Sequence, residues 1–305
     1  MRTAAIENEI ASTSARDETL RTGAASDFAQ LVKARLTLLV LLTTAVGFYL
    51  GATSPINYVS FFHAVFGTAL AAASAAALNQ WWERRADSLM QRTKTRPIPA
   101  GRMLPRDAFI IGTVLGLAGV AYLAFACNAL AASLAALTIV LYIFAYTPLK
   151  KISTANTLVG AIPGAIPPMI GWAAARGDLG AGAWSLFAIL FMWQMPHFFA
   201  LAWMYRQDYA RAGFRMMSND DETGVRCASQ SVLFCILLLI VAGLPGYVGV
   251  TNPIYVPITI ALSGWFTAMA MKFHRKKTAR DARALFITSI VYLPLLLAAL
   301  VLTKI

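Results

Sequence analysis

The sequence predicts an all-α, polytopic membrane protein with nine transmembrane helices. Apolar residues make up 58% of the 305 residues and charged residues only 13%, outside the usual shares of a soluble domain. The apolar residues fall into runs of about 18 or more, and at ~1.5 Å per residue such a helix crosses ~30 Å of hydrocarbon. The Lys and Arg residues collect in alternate loops. Together these observations exclude a soluble globular enzyme. The formal net charge of +12 is dispersed, so it reads as topology and as attraction to anionic headgroups or substrates, not as a nucleic-acid surface. Cys127, Cys227 and Cys235 have no paired spacing and read as small apolar fillers.

Taken in order, residues 1–30 are rich in Ala, Ser, Thr, Glu and Arg and read as a disordered cytoplasmic tail, with no signal peptide. Residues 31–305 form one transmembrane domain. Its spans are expected at 36–53, 59–79, 108–126, 129–147, 155–174, 183–204, 228–248, 254–272 and 285–303. Residues 1–35, 80–107, 148–154, 205–227 and 272–284 carry 24 of the 26 Lys and Arg residues, leaving only Arg176 and Lys304 on the other face. The positive-inside rule then puts the N-terminus in the cytoplasm and the C-terminus outside. In the fifth span, GAIPGAIPPMIGW from Gly160 to Trp172 either lines a cavity or lets Gly160, Gly164 and Gly171 bring neighbouring helices close.

Of the 14 acidic residues, 13 lie on the predicted cytoplasmic side, with Asp178 the exception. Asn79, Glu83 and Asp87 recur every four residues, so one helical face carries three oxygen ligands. Such a face suits a hard cation such as Mg²⁺ bound together with substrate phosphates. The bland alternative is a solvated helix end pairing with Arg84, Arg85 or Arg92. Arg92, Lys94, Arg96 and Arg102 follow immediately, and Asp208 closes the sixth span, where it could reach the same cation from a second, related half. Tyr146 and Lys150 end the fourth span, where a Lys holds either a phosphate or the membrane interface. His63 and His274 sit near span ends. His197 lies deeper, 11 residues before Asp208, where an imidazole needs a partner such as a hydrogen bond to a neighbouring helix.

The blocks NQWWERRADSLMQRTKTRPIPAGR, YTPLKK, WQMPHFFALAW and YRQDYARAG resemble the haem O synthase branch of the UbiA-type intramembrane prenyltransferases. The resemblance runs from Leu31 to the C-terminus. It implies nine helices around a central cavity and transfer of a farnesyl group from farnesyl diphosphate to a vinyl group of haem b (protohaem IX), with Mg²⁺ as cofactor. By position, Asn79, Glu83 and Asp87 match the first metal-diphosphate motif and Asp208 the first acid of the second, whose usual second acid is replaced by Ala212. Arg92, Arg96, Arg102 and Lys150 would hold diphosphate, His197 would contact haem, and Tyr146, Trp81 or Trp82 would face an allylic cation. With no Arg- and Ser-rich amphipathic transit segment evident at the N-terminus, a bacterial inner (plasma) membrane is expected, and the resemblance implies haem A synthase or terminal oxidase assembly factors as partners. The competing readings are a sister prenyltransferase acting on a quinone precursor or chlorin, a transporter, and a noncatalytic haem carrier. A transporter would place ionisable groups or broken helix ends at the membrane midplane, whereas the acids of this chain stop at the cytoplasmic interface.

Overall fold

The computed structural model describes residues 23–305, and among them nine helices are long and apolar enough to cross a bilayer. They are α1 (Ala34–Gly51), α2 (Tyr58–Asp87), α3 (Pro105–Ala126), α4 (Ala129–Leu149), α5 (Asn156–Arg176), α6 (Ala181–Met204), α7 (Val225–Tyr247), α8 (Tyr255–Lys276) and α9 (Ala279–Leu302). Side-chain caps set several starts: the Asn57 carboxamide accepts from the Val59 and Ser60 amides, Asn128 from Ala131, and Thr278 from Asp281. All nine expected spans are present. The largest departure is α2, which continues as helix to Asp87, because WWERRAD contains no breaker and its acids find partners inside the protein.

The disordered tail expected over residues 1–30 needs correction at its end. Residues 1–22 lie outside the described residues, whereas residues 23–31 form a short helix. Leu31 is fully buried beside Ala77, Ile98 and Ala108, and the Gln80 carboxamide donates to the carbonyls of Gln30 and Leu31 at 2.8 and 2.7 Å. That apolar anchor and those two bonds order the segment.

Between lipid-facing helices there is little hydrophobic drive, so close packing needs small residues. Gly112, Gly116 and Gly119 of α3 face α2 so tightly that a Cβ on any of them would meet Leu78, Ser74 or Ala71 within 3 Å. Between α1 and α5 the contact is backbone on backbone. A Cβ on Gly47 would fall 2.0 Å from the Pro168 carbonyl oxygen, and one on Gly171 would fall 1.9 Å from that of Thr44. Of the two readings of the proline–glycine stretch, close approach is therefore the one Gly171 fulfils. Pro163, Pro167 and Pro168 divide α5 at Ile166, because each lacks the amide that a continuous helix needs. A second irregularity is a π-helical turn in α4 over Leu141–Tyr146, a feature common at functional sites. The largest apolar core lies among α6, α7, α8 and α9, where Tyr255, Phe266, Phe273 and Tyr292 are fully buried.

Gly171→Ala should destabilise the detergent-solubilised protein by more than about 2 kcal/mol, since the clash is with backbone that cannot rotate away. Gly264→Ala, on an exposed face of α8 with nothing within 4 Å of a Cβ, should be neutral or gain up to about 1 kcal/mol. Thermal unfolding of the two variants measures the contrast.

Candidate active site

At the basic end of the bundle a cavity of about 350 Å³ is lined by Lys33, Asn79, Glu83, Asp87, Arg92, Arg96, Tyr142, Tyr146 and Lys150, with Leu36, Met90, Thr93, Thr157, Phe198, Leu201, Tyr209, Phe214 and Met216 completing its wall. The four-residue spacing on α2 does what the sequence predicts. Asn79, Glu83 and Asp87 share one face, and all three are buried.

Each of these side chains meets a cation from a different segment. The Lys33 ammonium donates to Asn79 Oδ1 at 2.8 Å, Lys150 to Glu83 Oε1 at 2.7 Å, and Arg96 to Asp87 Oδ2 at 2.6 Å. Asn79 uses its amide on Thr147 Oγ1 at 3.2 Å. Asp87 Oδ1 is buried and has no hydrogen-bond partner among the described residues. A buried acceptor left open is costly, and here it points to a missing cation or donor. Hard oxygen donors on one face, one of them open, fit a divalent cation of the Mg²⁺ type.

Charge and burial set the protonation of the lysines. Burial, and after it the neighbouring Arg96, pushes the Lys33 ammonium down to about 7. For Lys150 burial is the largest influence and pulls downward, but the facing Glu83 carboxylate, together with Tyr146 and Tyr142 beside it, outweighs it and holds the group above the ordinary lysine range. Lys33 is also one of two non-glycine residues with positive φ among the described residues, at 49°. That left-handed conformation costs energy in a side-chain-bearing residue, and it occurs where the short N-terminal helix turns into α1.

Aromatic rings surround the cations. The Lys150 Nζ lies 4.4 Å from the Tyr146 ring centroid and 5.6 Å from that of Phe214. The Arg92 guanidinium lies 4.8 Å from Tyr205 and 5.6 Å from Tyr209, and donates to the Tyr209 hydroxyl at 3.2 Å. The π-turn of α4 brings Tyr142 and Tyr146 to the cavity with ring centroids 5.2 Å apart.

Not every expected residue converges. Asp208 is buried but pairs with Arg211, three residues on, and does not line the cavity. The oxygen set gathered here is therefore Asn79, Glu83 and Asp87 without it; among the described residues no three His, Cys, Asp or Glu side chains cluster as a metal site. Arg102 is also elsewhere: it pairs with Asp27 at 2.9 Å and donates to the Thr95 carbonyl, tying the N-terminal helix to the α2–α3 loop. His197 lies outside the cavity lining, where Nδ1 meets Ser289 Oγ at 2.7 Å and the ring packs beside Trp193 and Phe286. Trp81 and Trp82 line a separate apolar groove with Phe109 and Phe144. His63 pairs with Tyr122. Conversely, Lys33 and Tyr142 belong to the cavity and were not picked out from the sequence. Tyr142 lies four residues before Tyr146, so helical spacing alone could have found it, whereas Lys33 carries no signal beyond its place at a span end.

Comparison with known proteins gives the chain its relatives. A model of the UbiA prenyltransferase family matches residues 40–293. The protoheme IX farnesyltransferase of Solibacter usitatus is 40% identical over 91% of this chain and 98% of its own length. That of Opitutus terrae is 43% identical over 92% and 95%, and the human mitochondrial enzyme is 40% identical over 90% of this chain and 62% of its own. Among solved structures, one described for digeranylgeranylglyceryl phosphate synthase superposes with a TM-score of 0.76 at 12% identity, covering 92% of this chain and 98% of that one. A UbiA homologue from Archaeoglobus fulgidus, described as bound to GPP and Mg²⁺, gives 0.67 at 16% identity over 90% and 99%. At such identities the structures establish the fold alone, and the sequence relatives carry the rest. With a family model spanning most of its length and relatives about two-fifths identical end to end, this chain belongs to the UbiA prenyltransferase family.

Proposed function

We propose that this chain transfers the farnesyl group of farnesyl diphosphate to a vinyl group of protohaem IX (haem b), giving haem O and diphosphate. The observation that carries the transfer chemistry is the cavity itself: four cations against two carboxylates, beside a wall of tyrosines, phenylalanines, leucine and methionine. Surplus positive charge selects an anionic headgroup, and the apolar wall suits an isoprenoid chain. The acceptor rests on the relatives named protoheme IX farnesyltransferase. The same names favour haem over the quinone precursor or chlorin of a sister enzyme.

In this reading Lys33, Arg92, Arg96 and Lys150 hold diphosphate oxygens, the arginines through paired N–H groups and the lysines as point charges. Asn79, Glu83 and Asp87 would hold Mg²⁺, and Asp208 would join them only if its pair with Arg211 opened. When bound, Mg²⁺ supplies neutralisation of the charge that grows on the departing diphosphate. The rings of Tyr142 and Tyr146 face the allylic carbon as its bond to oxygen breaks and positive charge develops, and the apolar part of the wall, with Phe198, Leu201, Phe214 and Met216, limits the water that could capture it. The haem vinyl group then supplies the electron pair for the new carbon–carbon bond, and water adds the hydroxyl with loss of a proton. Arg102 acts on this site only through the loop it braces. A haem contact by His197 belongs outside this cavity. The Lys and Arg residues gathered in the loops at the cavity end support a cytoplasmic orientation of that end; in this reading the membrane is a bacterial plasma membrane, and haem A synthase or oxidase assembly factors are the partners for the product.

Membranes containing the protein should convert haem b and farnesyl diphosphate to a hydroxyethylfarnesyl haem detectable by mass, and a chelator should stop the reaction. Prenylation of a quinone precursor instead, with haem untouched, would overturn the acceptor. Asp87→Asn should lower turnover at least about 100-fold while the protein remains folded and abundant; retained turnover would sink the metal-diphosphate assignment. Lys150→Gln, which can still donate to Glu83, should weaken binding of inorganic diphosphate about tenfold, read by calorimetry with Mg²⁺ present.

A further inference from the structure

Two of the stretches that form the cavity wall lie far apart in the chain: the end of α4 with its following loop, and the segment after the short helix Arg206–Arg211. One buried side chain fastens them. Asn156, the first residue of α5, is fully buried, and its amide nitrogen donates to the Ser153 carbonyl at 2.7 Å and to the Arg215 carbonyl at 2.8 Å. The Arg215 amide in turn donates to the Lys150 carbonyl at 2.6 Å. Through these bonds the backbone at Lys150 and the backbone between Phe214 and Met216 are held as one piece. Phe214 and Met216 are buried and line the cavity, and Phe214 forms one side of the ring pair that flanks the Lys150 ammonium.

One turn further along the same face of α5 is Gly160. A Cβ there would lie 2.5 Å from two ring carbons of Tyr146. Tyr146 is the other side of that ring pair. The first turns of α5 thus fix Lys150 from both directions, Asn156 by holding the Phe214 segment and Gly160 by leaving room for the Tyr146 ring. Only a carboxamide meets the demand at 156. Its NH₂ satisfies two carbonyls at once while its oxygen takes the Thr157 hydroxyl at 3.3 Å, and an aspartate would set a carboxylate against both carbonyl oxygens.

We infer that Asn156 and Gly160 are positioning residues for Lys150, setting the affinity of the cavity for diphosphate without touching it. The inference rests on the diphosphate reading of the cavity. Because both residues act through Lys150, their effects must be lost when Lys150 no longer carries its charge, which a bystander in the fold would not show.

The test is a double-mutant cycle on the full chain in detergent, reading calorimetric binding of inorganic diphosphate with Mg²⁺, together with KM and kcat. Asn156→Ala should weaken diphosphate binding about tenfold, comparable to losing one well-placed hydrogen bond, and should raise KM for the prenyl diphosphate far more than it lowers kcat. In a Lys150→Gln background the same substitution should cost nothing further. Wild-type affinity in Asn156→Ala, or an undiminished loss in the Lys150→Gln background, overturns the inference. If Asn156→Ala yields no folded protein, Gly160→Ala in the same cycle decides between those two outcomes. Failure of the underlying reading looks different: the wild-type chain itself would then bind no diphosphate.

Discussion

Carboxylates removed from water must meet positive charge, and the basic end of this bundle is organised by that requirement. Glu83 is only 7% exposed and Asp87 is fully buried at the end of α2. Their cations arrive from the end of α4 and from the α2–α3 loop, and Asn79 draws in Lys33 from before α1. Removing one member of such a pair leaves an uncompensated buried charge at a cost of about 3–5 kcal/mol. Three segments far apart in sequence are therefore bound to one helical face. Apolar residues would pack as well, so the retention of ions at this depth points to what the cavity receives.

The rest of the bundle serves that face by bringing helices close enough to deliver the cations. Lipid offers helices no hydrophobic reason to associate, and the structure relies on contacts that only missing side chains permit. The α1–α5 crossing at Gly47 and Gly171 holds the span that follows Lys33, while the glycine row of α3 holds α2. Polar bonds complete the assembly away from the cavity: Trp193 donates to the Ser289 carbonyl at 2.9 Å and Ser263 pairs with Tyr292 at 2.8 Å. Both join α9 to its neighbours.

Nine spans were legible in the sequence because an apolar run long enough to cross hydrocarbon is a strong signal, and the face of Asn79, Glu83 and Asp87 was legible because helical spacing survives folding. What could not be read was set by competition among partners. Asp208 and Arg102 have the right residue types at the right span ends, yet each found a nearer opposite charge, Arg211 and Asp27. His197 was readable as a polar group needing a partner, and Ser289 supplied it from 92 positions along the chain. Lys33 was hidden for a different reason: its role depends on a left-handed backbone turn that no pattern of polar and apolar residues announces. The helix over residues 23–31 was masked by composition, since a single well-buried Leu31 orders a stretch that otherwise reads as solvated.

The pairing of Asn79, Glu83 and Asp87 with Lys33, Lys150 and Arg96 also bears on what the folded state needs from outside the chain. In many small metal-binding domains the ligands repel one another until the ion arrives, so the ion is a component of the folded state. Here the chain supplies its own counter-charges, and all but one of the buried carboxylate oxygens at Glu83 and Asp87 are spoken for or open to the cavity. The counter-charges for these side chains are therefore part of the chain itself, drawn from three separate segments, so their pairing does not wait on a bound cation.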